Sequence, residues 1–268
     1  MLLFSKYENA FDNIFISQPV VDIDIEDSNC FIVRFPKFRR ITHFILSFDA
    51  ENLFLDSESA FGYSFNLEEL LLKHENNSEN GYFVMGVTSN KNRKKQYNPY
   101  SPSSINNHAI NHIQSIVEQY LPIVLADYDI EFSSTKRIVM GSSMGGLMSI
   151  KTSILYPTFN NVISFSPAFW YGYTDFINDL KNLNKKAICN ISVGSEEGEI
   201  FEDKTNSINP AEWGLDYTNN NDFYVSGVKK INETIKENNI ETNFIQLPNG
   251  KHNENSWNQV LDKFLIST

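Results

Sequence analysis

Short apolar runs alternate with amphipathic stretches along the chain, and the period of each run predicts an element. Residues 21–26 set Val21, Ile23 and Ile25 against Asp22, Asp24 and Glu26, the period-two pattern of a strand buried on one face. Residues 31–35 predict a second strand. The runs His43–Phe48 and Tyr82–Val87 are apolar at nearly every position, as strands covered on both faces are. Ile110, Ile113, Val117, Tyr120, Leu121 and Val124 recur at helical spacing, so an amphipathic helix is predicted, bent or interrupted at Pro122. Further on, strands are predicted over 137–140, 162–165, 187–193 and 242–247, and helices over 145–155, 228–237 and 256–265.

This β-α-β alternation predicts an α/β fold: a mostly parallel twisted sheet, helices on both faces, no large cap domain, and a site at the carboxyl ends of the strands. There is no internal repeat or long linker. A chain of 268 residues, 41% hydrophobic and with 21 Phe, suits one domain over 1–268 with a partly aromatic core.

The formal charge of -11 argues against nucleic acid and anionic membranes as partners. No apolar run is long enough to span a bilayer, and the polar residues of the first turn of sequence do not suit a signal peptide. A cytoplasmic protein is the expectation. Cys30 and Cys189 lie in or beside apolar runs without metal or redox spacing, which predicts two buried free thiols. His108 and His112 are one helical turn apart, but no carboxylate motif accompanies them, so neither a metal nor a cofactor is expected. Oligomeric state leaves no signature in the sequence.

The candidate chemistry starts at Gly141-Ser142-Ser143-Met144-Gly145, which fits G-x-S-x-G between a predicted buried strand and a predicted helix. A serine on such a sharp turn has an exposed hydroxyl, and the first N–H groups of the helix point at the reacting oxygen. Its hydroxyl needs a base. Of the five histidines only His252 follows Ser143, in a loop between a predicted strand and the last helix. The third group, an acid to orient the imidazole, belongs after the strand at 187–193, where Glu196, Glu197 and Glu199 are all candidates.

Together these residues resemble the esterase D-like family of α/β-hydrolases, which includes S-formylglutathione hydrolases and the enterochelin and bacillibactin esterases. The resemblance runs from about His43 to the C-terminus. It is carried by the elbow Gly141-Ser142-Ser143-Met144-Gly145-Gly146-Leu147, by Ser166-Pro167-Ala168-Phe169-Trp170 and by His252-Asn253-Glu254-x-x-Trp257. Asp49-Ala50-Glu51-Asn52-Leu53-Phe54 is similar to the family's D-G-Q-N-L-F loop, and Arg93-x-x-Gln96-Tyr97-x-Pro99 to its R-x-x-E-Y-x-P segment. The resemblance implies Ser143 as nucleophile and His252 as base, and it favours Glu197 as acid because the family's acid loop often reads G-x-x-E-G. It implies an oxyanion hole from the N–H of Met144 and one from Glu51 or Ala50. It places Arg93 and Tyr97 in a substrate-binding segment. Phe169, Trp170 and Tyr171 offer stacking surface to a substrate, or else aromatic core.

Three positions depart from the family pattern. Ala50 stands for Gly, Glu51 for Gln and Gln96 for Glu. An anion at Glu51 opposes charge development in an oxyanion hole unless its carboxylate points away. The implied activity is hydrolysis of a small-molecule ester through an acyl-enzyme on Ser143. The basic cluster Lys91, Arg93, Lys94 and Lys95 suggests an anionic substrate such as a siderophore trilactone, and is otherwise a solvated charged loop. An acyltransferase, or a hydrolase-like binding protein disabled at Glu51, are the other classes the sequence allows.

Overall fold

The computed structural model describes residues 2–22, 27–100, 107–201 and 210–267. The strands in chain order are β1 (Phe4–Lys6), β2 (Ile14–Ser17), β3 (Val20–Asp22), β4 (Asp27–Asn29), β5 (Phe31–Arg34), β6 (His43–Phe48), β7 (Tyr82–Val87), β8 (Lys136–Ser142), β9 (Asn161–Phe165), β10 (Ile188–Gly194) and β11 (Glu241–Leu247). Nine of them form one sheet in the order β1-β2-β5-β7-β6-β8-β9-β10-β11. From β7 to β11 every pairing is parallel, while β1, β2 and β5 add an antiparallel edge.

The helices are α1 (Leu67–Asn77), α2 (Arg93–Gln96), α3 (His108–Gln114), α4 (Leu121–Asp127), α5 (Met144–Leu155), α6 (Tyr173–Asp179), α7 (Asn220–Glu237) and α8 (Glu254–Ser267). Successive strand residues point to opposite faces, and the core divides accordingly. Phe44, Leu46, Val139 and Val162 join Ile113, Leu147 and Val228 in one apolar cluster. Ile45, Ile138 and Ile163 join Leu71 of α1 and Leu261 of α8 in the other. Both faces of the central strands are therefore covered, which is why their sequences read as unbroken apolar runs.

Three expectations change. The strand at 21–26 does not enter the main sheet. β3 pairs with β4 in a separate two-stranded ribbon, so Val21 has no core to face and is 65% exposed; Ile23 and Ile25 lie outside the described residues. The helix ahead of Pro122 does not simply bend. A π-helical turn, Ser115–Tyr120, sits between α3 and α4. Pro122 stands in the first turn of α4, and its ring, which crowds the carbonyl four residues back and leaves it without a donor, opens the helix there. Cys189 is buried as expected, but Cys30 is only half-buried; both are free.

The carboxyl ends of β6, β8, β9, β10 and β11 lead directly into Asp49, Ser143, Ser166, the loop bearing Glu197 and the loop bearing His252. Parallel pairing in register, with Ser142 opposite Phe165 and Gly194 opposite Leu247, brings these ends to one edge of the sheet.

Candidate active site

Ser143 leaves β8 with φ 54° and ψ -119° and caps the N-terminus of α5. A non-glycine residue at positive φ is strained, and the turn is held by its surroundings. The Ser143 N–H donates to the Phe165 carbonyl at 2.8 Å, and the Ser143 carbonyl accepts from Ala168 N–H at 3.0 Å. The flanking glycines are required by contact. A β-carbon on Gly141 would lie 2.4 Å from the Gly145 backbone, and one on Gly145 would lie 2.6 Å from Asp49 Oδ2.

His252 Nδ1 lies 2.7 Å from Glu197 Oε2. Glu197 is 1% exposed, and its other oxygen, Oε1, accepts from Ser166 Oγ at 2.6 Å and from Gly194 N–H. Ser166 Oγ in turn accepts from Trp257 Nε1 at 2.9 Å. This polar chain fixes the carboxylate, and the ring of Trp257 packs edge-on against His252 with centroids 5.0 Å apart. Of the three acidic candidates it is Glu197 that is bonded to His252, while Glu196 and Glu199 are exposed.

The loop after β6 supplies the other half of the site. Asp49 takes a left-handed backbone (φ 54°, ψ 52°) and turns the chain into the short 3-10 turn Ala50–Asn52. The Ala50 N–H opens that turn and has no carbonyl within it to bond. The two departures in this loop are absorbed locally. A β-carbon on Gly86 of β7 would lie 2.6 Å from the Ala50 methyl, so the absence of a side chain there makes room for Ala50. The Glu51 carboxylate accepts from the N–H and the hydroxyl of Ser89. Burial, and then the neighbouring Asp49 charge, raise its pKa.

Ser143, Met144 and His252 line one cavity of about 930 Å³. Lys91, Arg93, Lys94 and Lys95 form a basic rim, and Phe61, Trp170, Tyr171 and Phe201 an aromatic wall. Two residues expected at the substrate are elsewhere. Tyr97 is fully buried; its hydroxyl accepts from the Asp49 N–H at 3.2 Å, and Arg93 lies over its ring. Phe169 is also fully buried, because its ring fills the space left by Gly227 of α7. Arg93 does reach the cavity, but its guanidinium is already committed to Asp49.

Two residues of the site escaped sequence reasoning. Tyr224 of α7 is fully buried and donates to the Ser166 carbonyl at 2.6 Å; burial, then the Glu197 charge, drive its pKa far up. The other is Ser166, whose signal was its place in the Ser166-Pro167-Ala168-Phe169-Trp170 motif.

A mostly parallel sheet with helices on both faces, a strained serine at its carboxyl edge and, lining the same cavity, a histidine bonded to a buried carboxylate define an α/β-hydrolase. The structure is similar throughout to the siderophore hydrolase EstA of Aspergillus nidulans (TM-score 0.68, 14% identity, 99% of this chain and 97% of that one). It is also similar to the BES protein of Bacillus cereus (TM-score 0.66, 15% identity, 97% and 98%). Residues 54–268 match the model of the putative esterase family, and the chain belongs to that family. In sequence it is 27% identical over 119 residues to the uncharacterized protein YbbA of Bacillus subtilis (strain 168), a match spanning 40% of this chain and 47% of that protein. Among the described residues there is no helix long and apolar enough to cross a membrane, and no cluster of side chains suited to hold a metal ion.

Proposed function

We propose that the chain hydrolyses carboxylic esters through an acyl-enzyme on Ser143. The observation that carries this is the 2.7 Å bond between Glu197 and His252 Nδ1, in a cavity shared by His252 and the strained Ser143. With Nδ1–H held by the carboxylate, His252 Nε2 is free to take the serine proton as Oγ attacks the ester carbonyl. The N–H groups of Met144 and Ala50 receive the oxyanion. His252 then protonates the departing alcohol, and water, activated by the same nitrogen, releases the acid. Glu51, bound to Ser89, leaves the oxyanion position without an opposing anion, which weighs against a disabled, binding-only protein.

A fluorophosphonate probe followed by intact mass tests the reading. One adduct on the native chain and none on Ser143→Ala is the expected result; no adduct on the folded native chain overturns it.

For the substrate we infer an anionic aromatic ester of the siderophore trilactone kind. The support is that basic and aromatic side chains line the same cavity as Ser143, together with the likeness in fold to siderophore hydrolases. The free thiols Cys30 and Cys189 suit a reducing compartment, which supports a cytoplasmic setting.

A further inference from the structure

Three aromatic rings pack around the imidazole of His252: Trp257 with centroids 5.0 Å apart, Tyr224 at 5.5 Å and Phe61 at 6.3 Å. Trp257 and Tyr224 are buried, whereas Phe61 is 50% exposed. Of these three, it is Phe61 that lines the active-site cavity together with Ser143 and His252. The His252 side chain has only 8% of its own surface exposed, and Glu197 holds its Nδ1. A group that reaches the imidazole from the cavity therefore meets Phe61 as the ring beside it.

The backbone that carries Phe61 is tied to the oxyanion loop. Asn52, the last residue of the 3-10 turn, accepts from Ala60 N–H with its side chain at 3.0 Å and from Phe65 N–H with its carbonyl at 2.8 Å. Asp56 Oδ1 accepts from Ser64 N–H at 2.7 Å. Gly62 turns the chain at φ 74°, a conformation that suits glycine, and its N–H donates to the Ser59 carbonyl at 3.2 Å. Each of these bonds uses a backbone N–H of the loop and none needs the Phe61 side chain. The loop thus holds its shape through its backbone and leaves half of an aromatic ring uncovered beside the base.

The two halves of an ester meet different parts of such a site. The acyl carbon bonds to Ser143 Oγ, and its oxygen turns to the N–H groups of Met144 and Ala50. The alcohol oxygen must come to His252 Nε2, which gives it a proton as the carbon–oxygen bond breaks. A ring packed beside the imidazole therefore borders the alcohol half.

We propose that Phe61 selects the alcohol half of the ester: its ring packs on the apolar or aromatic body of the leaving alcohol, so that esters of arylalkyl alcohols are favoured over those of small ones. This rests on the ester-hydrolase reading. By microscopic reversibility the same ring receives an acceptor alcohol. Its hydroxyl gives a proton to His252 and its oxygen bonds to the acyl carbon, while Ser143 Oγ leaves and takes that proton, which yields a new ester and free serine.

The test uses the acetates of benzyl alcohol and methanol, which share an acyl group and have alcohols of similar acidity. The native chain is expected to favour benzyl acetate in kcat/KM. Phe61→Ala is expected to lower the benzyl-to-methyl ratio about tenfold, the worth of one aromatic pair with its buried area, and Phe61→Trp, which keeps an aromatic face, to hold it. The ratio of methyl phenylacetate to methyl acetate, where the ring is on the acyl side, is expected to be the same in the native chain and Phe61→Ala. Added benzyl alcohol is expected to divert acetyl groups from p-nitrophenyl acetate into benzyl acetate, about tenfold less on Phe61→Ala. A benzyl-to-methyl ratio that Phe61→Ala leaves unchanged overturns the proposal. So does a fall in the phenylacetate ratio, which would put Phe61 on the acyl side. Equal efficiency of the native chain on the two acetates overturns it without any variant. A fluorophosphonate label on Ser143 separates the two failures: equal ratios on a labelled chain remove this proposal alone, whereas a folded native chain that takes no label removes the ester-hydrolase reading and this proposal with it.

Discussion

Asp49 and Arg93 are joined by two parallel hydrogen bonds, Nε to Oδ1 and Nη2 to Oδ2, each 2.7 Å long. Asp49 is buried, and its Oδ2 would lie 2.6 Å from a β-carbon on Gly145. The pair therefore clamps the oxyanion loop to the nucleophile elbow from the side of α2. Arg93→Ala strands a buried carboxylate and is expected to cost about 3 kcal/mol of stability and to lower kcat for neutral and anionic esters alike. Arg93→Lys keeps the charge but not the fork and is expected to recover only part of kcat. Urea unfolding and p-nitrophenyl acetate turnover check both. A variant that is slow only on anionic esters would make Arg93 a substrate contact instead.

Glu197→Gln separates orientation from charge. Oε1 accepts from two donors, so the new amide must keep its oxygen there and put its NH2 toward His252 Nδ1. Nδ1 then has to accept, the ring proton moves to Nε2, and the base faces Ser143 with the wrong nitrogen state. The expected loss in kcat is about 10³–10⁴-fold, with unchanged thermal unfolding. Single-turnover acylation kinetics measure it, and a loss under tenfold would remove Glu197 from the reaction.

The basic rim gives a prediction separate from the chemistry. Lys91, Lys94 and Lys95 are exposed, so replacing all three by Gln is expected to leave kcat on a neutral ester unchanged. On an anionic aromatic ester it is expected to raise KM several-fold and to flatten the fall of kcat/KM with added salt. Equal salt dependence in the native and triple-variant proteins would show that the rim is a solvated charged loop.

Ala50 and Gly86 occupy one space. Gly86→Ala is expected to destabilise by about 1–3 kcal/mol through overpacking against the Ala50 methyl. Ala50→Gly in the same chain is expected to return much of that loss, and a double-mutant cycle in urea reads the coupling. Additive costs would mean that the two side chains do not compete.

The central strands were legible because both of their faces are covered, so β6 and β7 are buried at every position and β8 from Ile138 onward, and all three read as nearly continuous apolar runs. The elbow and His252 were legible because the fold orders its chemistry along the chain. α1 was not, since Leu67-Glu68-Glu69-Leu70 reads as charged surface. In the fold Glu68 and Glu75 turn inward to pair with the fully buried Arg34 of β5, a partner far away in sequence. Tyr97 and Phe169 were misplaced for a related reason. Their motifs mark the site, but whether an aromatic ring lines a cavity or fills the gap left by Gly227 depends on a helix that packs against it from later in the chain.

Glu254 is the remaining charge-bearing group at the site's edge, two residues past His252. It is fully buried, and neither carboxyl oxygen has a hydrogen-bond partner among the described residues. Burial raises its pKa from 4.5 to about 7; the charges of Asp49 and Glu51 push the same way and Arg93 opposes them. The sign follows from linkage. Between pH 4.5 and 7 the folded chain keeps a proton that the unfolded chain releases, so this group's contribution to stability falls as pH rises through that window and then levels. Glu254→Gln cannot ionise. Relative to the native chain, the variant is expected to gain on the order of 1–3 kcal/mol of stability between pH 5 and pH 8. Urea unfolding at the two pH values measures the gap. A gap that stays constant would mean that Glu254 ionises as readily in the folded chain as in the unfolded one, and that Arg93 serves it as well as Asp49.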